Sequence, residues 1–149
     1  MGKVAIVTGG IGGLGTAMCV ELCKQGRTVV AAYYPAEADK AVEWQAARKE
    51  EGYEIAVYPV DVSDFASCAK LVEQVEADLG PVEILVNNAG ITRDSVFKKM
   101  TEAQWQAVIN TNLNSLFNMT KQVFEKMTGR GWGRIVNISS VNGQKGQFG

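Results

Sequence analysis

Short runs of β-branched and aliphatic residues recur along the chain. Each is followed by a longer stretch with apolar residues at helical spacing. This alternation predicts buried strands separated by helices. "KVAIV" at 3–7 is the first strand, and glycines follow it. "TAMCVELCKQG" at 16–26 predicts a helix, with Ala17, Met18, Val20, Leu22 and Cys23 apolar and Gly26 at its stop. "TVVAAY" at 28–33 is a second strand, and 37–52 a helix ending at Gly52. "YEIAVYPV" at 53–60 is a third strand. The stretch 64–80 reads as a helix with Asp64 as N-cap and Gly80 at the stop. "VEILVNNAG" at 82–90 is a fourth strand running into a turn. A long helix over 101–129, opened by Thr101, precedes a fifth strand, "RIVNIS" at 134–139.

Strand and helix thus alternate with short connections, and no repeat, linker or low-complexity segment interrupts them. The pattern predicts an α/β fold: a Rossmann-type doubly wound parallel sheet with helices on both faces, stopping after the fifth strand. All of residues 1–149 form one dinucleotide-binding domain in this reading, and 149 residues suit a single core.

Composition narrows the chemistry. Apolar residues make up 46% and charged residues 21%, as in ordinary globular proteins. The net charge of −1 offers no strong field for nucleic acid or anionic lipid. No apolar run is long enough to span a bilayer, and the first residues do not read as a signal peptide. The expectation is a cytoplasmic protein with no nucleic-acid or membrane partner. Three cysteines, Cys19, Cys23 and Cys68, read as reduced thiols filling small buried sites rather than as metal ligands. The chain has no histidine, which removes Ser-His-Asp hydrolysis, His-ligated metal and imidazole acid–base catalysis. No metal site is expected.

"VTGGIGGLG" at 7–15 follows the first strand and opens the first helix, as a phosphate-binding turn requires. Gly9, Gly13 and Gly15 allow a tight turn, close approach of a pyrophosphate, and packing of helix on strand. The helix N-terminus then faces the phosphates. No lysine followed by serine or threonine comes after the glycines, which disfavours a triphosphate loop.

This turn, with "NNAG" at 87–90, "TNL" at 111–113, "ISS" at 138–140 and "DV" at 61–62, resembles the short-chain dehydrogenase/reductase family in nearly every segment. Within it, "NNAGITRDSVFKKM" and "GRGWGRIVNISSVNGQKGQFG" look most like reductases of acetoacetyl-CoA in polyhydroxyalkanoate synthesis. They are also similar to 3-oxoacyl-(acyl-carrier-protein) reductases. The resemblance implies NAD(P)H as cofactor and a CoA thioester as substrate. It implies cofactor contacts at Gly9, Gly12, Gly13, Leu14 and Gly15, at Asp61 and Val62 by the adenine, and at Asn88, Ala89 and Gly90 by the ribose and nicotinamide. Ser140 would hydrogen-bond the keto oxygen, and Asn112 would hold a water in a proton relay. Asn112 could at the same time satisfy a helix carbonyl, and Asp61 could instead simply cap a turn. Asp94 and Gln147 match positions near the substrate. Arg93, Lys98 and Lys99 could meet the phosphates of CoA or form a solvated face.

The family's proton donor is a tyrosine with a lysine four residues later. Tyr33, Tyr34, Tyr53 and Tyr58 are followed at that distance by Glu37, Ala38, Val57 and Val62. The pair is therefore expected beyond residue 149, and the 149 residues alone are expected to be inactive and to leave a sheet edge uncovered. A non-catalytic dinucleotide-binding module stays open as the reading of this stretch by itself. After the second strand, "VVAAYYPAEADKA" carries Glu37 and Asp39 but no arginine, which leans toward NADH. The same two carboxylates could merely open the next helix. A homotetramer is the family expectation, with Leu113, Leu116 and Phe117 on either its interface or the core.

Overall fold

The computed structural model describes residues 2–148. Five parallel strands form one sheet: β1 (Val4–Thr8), β2 (Thr28–Tyr33), β3 (Ile55–Pro59), β4 (Val82–Asn87) and β5 (Arg134–Asn137). Their order is β3-β2-β1-β4-β5. The chain winds outward from β1 to β3, then crosses back to place β4 on the other side of β1. That reversal creates the crevice in which such sheets bind ligands, outside the carboxyl ends of the strands.

The helices are α1 (Gly13–Lys24), α2 (Ala38–Glu50), α3 (Phe65–Leu79), α4 (Glu102–Ile109), α5 (Ser115–Gly129) and the short α6 (Asn142–Lys145). Every residue of β1 is buried, as expected for a central parallel strand covered on both faces. Alternate side chains feed two core layers. Val4, Ile6, Val30, Ala32 and Leu85 pack with Leu71, Val72 and Val75 of α3 and Met119, Val123 and Met127 of α5. Ala5, Val7, Val29, Ala31, Ile84 and Val86 pack on the other face with Cys19 of α1 and Ala41 of α2. Fully burying an aliphatic side chain of this size contributes about 1.5–3 kcal/mol.

The stops and starts follow local chemistry. Gly26, Gly52 and Gly80 take positive φ after their helices. Asp64 caps α3, its Oδ1 accepting from Ala66 N at 3.0 Å. Thr101 opens α4 with a full capping box: its Oγ1 accepts from Gln104 N, and Gln104 Oε1 accepts from Thr101 N.

The helix expected over 101–129 is not uniform. Residues Asn110–Asn114 form a π-turn between α4 and α5, which widens the helix there by one residue. The apolar trio of that segment also divides. Leu113 and Phe117 are exposed at 56% and 65%, and Leu116 is half-buried. The core side of the helix is Ser115, Asn118, Met119, Val123 and Met127 instead. Two short 3-10 turns, Pro35–Glu37 and Phe97–Lys99, lie where sequence periodicity had no signal.

Candidate functional site

The turn after β1 shows which glycines the fold itself demands. Gly9 has φ +62°, and a Cβ there would sit 3.1 Å from Ala89 Cα. A Cβ at Gly15 would lie 2.1 Å from Gly9 O, so α1 can pack on the turn only with glycine there. Gly10, which the sequence reading passed over, is as constrained: its Cβ would meet Ala31 Cα at 2.6 Å on β2. Gly13 differs. Nothing lies within 4 Å of a Cβ at that position, and the residue is exposed at the N-terminus of α1. Gly12 is the N-cap, with ordinary clearance. Helical geometry leaves the first-turn amides, at Gly13, Leu14 and Gly15, without partners inside the helix. The turn is thus a cradle with an open floor at Gly13 and free donors around it, which suits a pyrophosphate.

Thr8 at the tip of β1 holds this cradle to β4. Its buried Oγ1 accepts from the backbone N–H of Asn88 and of Ala89, both at 3.0 Å. The Asn88 side chain returns the tie, Nδ2 donating to Thr8 O at 3.0 Å and Gly9 O at 3.3 Å. Asn88 therefore joins two strand ends as well as bordering a cleft. A threonine, not another valine, closing an aliphatic strand was the signal for Thr8.

Two clefts open at the carboxyl ends of the strands. One, of about 390 Å³, runs from Gly9 past Tyr33, Tyr34 and Glu37 to Asp61 and Val62, then back to Ala89 and Gly90. The other brings together Leu14, Asn88, Ala89, Gly90, Asn112 and Ser140. Ala89, Gly90, Ile91 and Arg93 border both, so the two form one crevice across the switch point. A long cleft at the switch point of a parallel sheet suits an elongated ligand such as a dinucleotide.

Individual residues carry structural duties too. Asp61 Oδ1 accepts from Ser63 N at 2.9 Å and Ser63 Oγ at 2.6 Å, so the aspartate caps the turn while lining the cleft. Val62 O accepts from Asn118 Nδ2 of α5 at 3.0 Å, a buried bond that fixes this wall. Asn112 does not satisfy a helix carbonyl. Its side chain clamps the loop after β4, Nδ2 donating to Ile91 O and Oδ1 accepting from Ile91 N, both at 2.8 Å. The π-turn is what presents Asn112 to that loop. Ser140 is exposed past the end of β5, and its Oγ accepts from Asn142 N at 3.2 Å.

Not every candidate converges. Asp94 borders a smaller neighbouring hollow with Met100, Trp105 and Asn112 rather than the main crevice. Gln147 is exposed and lies outside both clefts. Arg93 reaches the crevice, whereas Lys98 and Lys99 are exposed and do not. None of the four tyrosines borders the cleft of Ser140. The cysteines stay apart from it. Burial pushes the Cys19 and Cys68 thiols from 9.0 to about 12, with the neighbouring Cys23 adding to the effect at Cys19 and Asp64 and Asp61 at Cys68.

The sequence of the short chain dehydrogenase family matches residues 3–149, almost the whole chain. The chain belongs to that family. As a short-chain dehydrogenase it is similar to an acetoacetyl-CoA reductase of Allochromatium vinosum, 58% identical over all 149 residues, which span 61% of that relative. It is also similar to nodulation protein G of Azospirillum brasilense, 58% identical over 147 residues and 59% of that protein. An acetoacetyl-CoA reductase of Cupriavidus necator is 53% identical over 147 residues, again 59% of its length. The chain thus spans about three fifths of the length of these curated relatives. A 3-oxoacyl-(acyl-carrier-protein) reductase of Pseudomonas aeruginosa is less similar, at 44% identity. No helix among the described residues is long and apolar enough to cross a membrane.

Proposed function

We propose that the protein carrying this chain is a cytoplasmic NAD(P)H-dependent reductase of acetoacetyl-CoA, forming 3-hydroxybutyryl-CoA for polyhydroxyalkanoate synthesis. The observation that carries the reading is the crevice itself. Ser140, Asn112 and Asn88–Gly90 meet beside the glycine turn, in a chain 53–58% identical to acetoacetyl-CoA reductases.

In this reading Gly9, Gly12, Gly13, Leu14 and Gly15 seat the pyrophosphate through backbone amides. Asp61 and Val62 border the adenine, and Asn88, Ala89 and Gly90 the ribose and nicotinamide. The bound nicotinamide supplies the hydride. The Ser140 hydroxyl donates to the keto oxygen and stabilises charge developing there. Asn112 fixes the loop over the nicotinamide, and its second N–H is left to hold a relay water. The proton itself needs an acid that none of the described residues beside Ser140 provides. Arg93 borders the crevice where phosphates of CoA would pass, whereas Asp94 and Gln147 stand outside it and carry no substrate contact in this reading.

NADH is the preferred nucleotide in this reading. Glu37 lines the adenosine end, Lys40 is tied to it at 2.9 Å, and a 2′-phosphate there would meet a carboxylate. The exposed Leu113 of the π-turn and Phe117 of α5 support a homotetramer built on this segment.

The deciding assay is reduction by the whole protein of acetoacetyl-CoA against an acyl-carrier-protein thioester, with NADH and NADPH compared. Preference for the carrier thioester would move the substrate to the acyl-carrier class. A large NADPH preference would end the NADH assignment. Ser140→Ala should cut kcat by about 100-fold or more with cofactor affinity kept.

A further inference from the structure

Behind the glycine turn, a chain of side chains leads away from the crevice. The carbonyl of Gly12 accepts twice from Thr16, from its backbone N–H at 2.8 Å and its hydroxyl at 2.6 Å. The Thr16 hydroxyl in turn accepts from the indole N–H of Trp44 at 2.9 Å. Trp44 sits on α2, half-buried against the core layer that also holds Cys19 and Ala41. Neither Trp44 nor Thr16 lines either cleft.

An indole N–H can only donate. Its approach to the Thr16 oxygen leaves the hydroxyl proton free to serve the Gly12 carbonyl. A peptide unit is planar and trans, so the C=O of Gly12 and the N–H of Gly13 point in opposite directions. Drawing the carbonyl back into the helix aims the Gly13 N–H outward, from the helix end. Gly12 and Gly13 have no side chains to hold that plane, and a Cβ at Gly13 would touch nothing. The plane is held from Thr16, and Thr16 is held from α2.

We propose that Trp44 and Thr16 are positioning residues that fix the Gly12–Gly13 peptide plane, and so set the affinity of this turn for a dinucleotide pyrophosphate. The inference rests on the reading of the α1 turn as the pyrophosphate seat. It adds a coupling, because α2 begins just after Glu37 on the adenosine wall and reaches the back of the phosphate turn at Trp44.

NADH binding to the whole protein tests it, with Trp44→Phe, Thr16→Val, the double variant and Thr16→Ser. Adenosine, measured by competition, serves as the ligand without pyrophosphate. Trp44→Phe and Thr16→Val should each weaken NADH about fivefold, the worth of one hydrogen bond. The double variant should lose little more than either single change, since both break one path. Thr16→Ser keeps the hydroxyl and should bind like the parent, and adenosine affinity should stay constant throughout. Unchanged NADH affinity in both single variants overturns the proposal. So does an equal loss for adenosine, which would mean that α2 has merely loosened. If the parent protein fails to bind NADH at all, the pyrophosphate reading falls first and takes this one with it. Thermal unfolding of each variant separates lost binding from lost fold.

Discussion

Glycines that look alike in sequence do different work here, and substitution should separate them. At Gly15 a methyl group would lie 2.1 Å from Gly9 O, so backbone must shift. Gly15→Ala should lower the unfolding midpoint sharply or prevent folding. At Gly13 the same methyl meets open space inside a helix. Gly13→Ala should leave stability intact, or raise it by up to about 1 kcal/mol, because alanine loses less backbone entropy. If the turn seats a pyrophosphate, that stable variant should nonetheless lose NADH affinity, since the ligand needs the space. Urea unfolding and an NADH titration on the same two proteins check both halves. Gly9 and Gly15 were legible from spacing, because the positive φ of Gly9 and the contact of Gly15 with Gly9 O both belong to the turn. Gly10 was not, because its constraint is Ala31 on a neighbouring strand. Thr8 and Asn118 escaped for the same reason: their partners, Asn88, Ala89 and Val62, are distant in sequence.

Among the elements, strands and helix ends could be read from local chemistry, and the π-turn could not. A run such as "VAIVT" signals a buried strand because β-branched side chains fit a covered sheet. Caps carry their own signatures, as at Thr101 and Asp64. Nothing in the local sequence of 101–129 announces that Asn112 is turned onto Ile91, because that contact lies 21 residues away. The same helix shows how position sets energy. Met119 is fully buried between sheet and α3, and Met119→Ala should cost about 2–5 kcal/mol. Thr101→Ala removes one cap at an exposed helix start and should cost about 0.5–2 kcal/mol. Denaturant midpoints compared at constant m-value give the order. A cost at Thr101 exceeding that at Met119 would mean that the stability of this segment lies in its start rather than in its packing.

At the scale of the whole molecule, the sheet keeps function and stability at different ends of the same strands. The crevice lies past the carboxyl ends, while the two core layers lie over the faces. Several groups that titrate at high pH lie away from the crevice. Cys19 and Cys68 are raised from 9.0 to about 12 by burial. Tyr58 is raised from 10.0 to about 12, first by burial and then by its 2.7 Å hydrogen bond to Asp78. Each holds its proton more tightly folded than unfolded. Their contribution is therefore complete below pH 9 for the thiols, or pH 10 for the phenol, and is lost as pH rises toward about 12. Unfolding free energy should accordingly be flat near neutrality and fall at alkaline pH. Urea unfolding at about pH 8 and about pH 10.5 measures the drop, and in Cys19→Ala/Cys68→Ala the drop should shrink because the two most strongly raised thiols are gone. Equal stability at both pH values would show that these thiols ionise freely in the folded chain, which burial of Cys19 and Cys68 beneath the glycine turn and the Asp61 turn argues against.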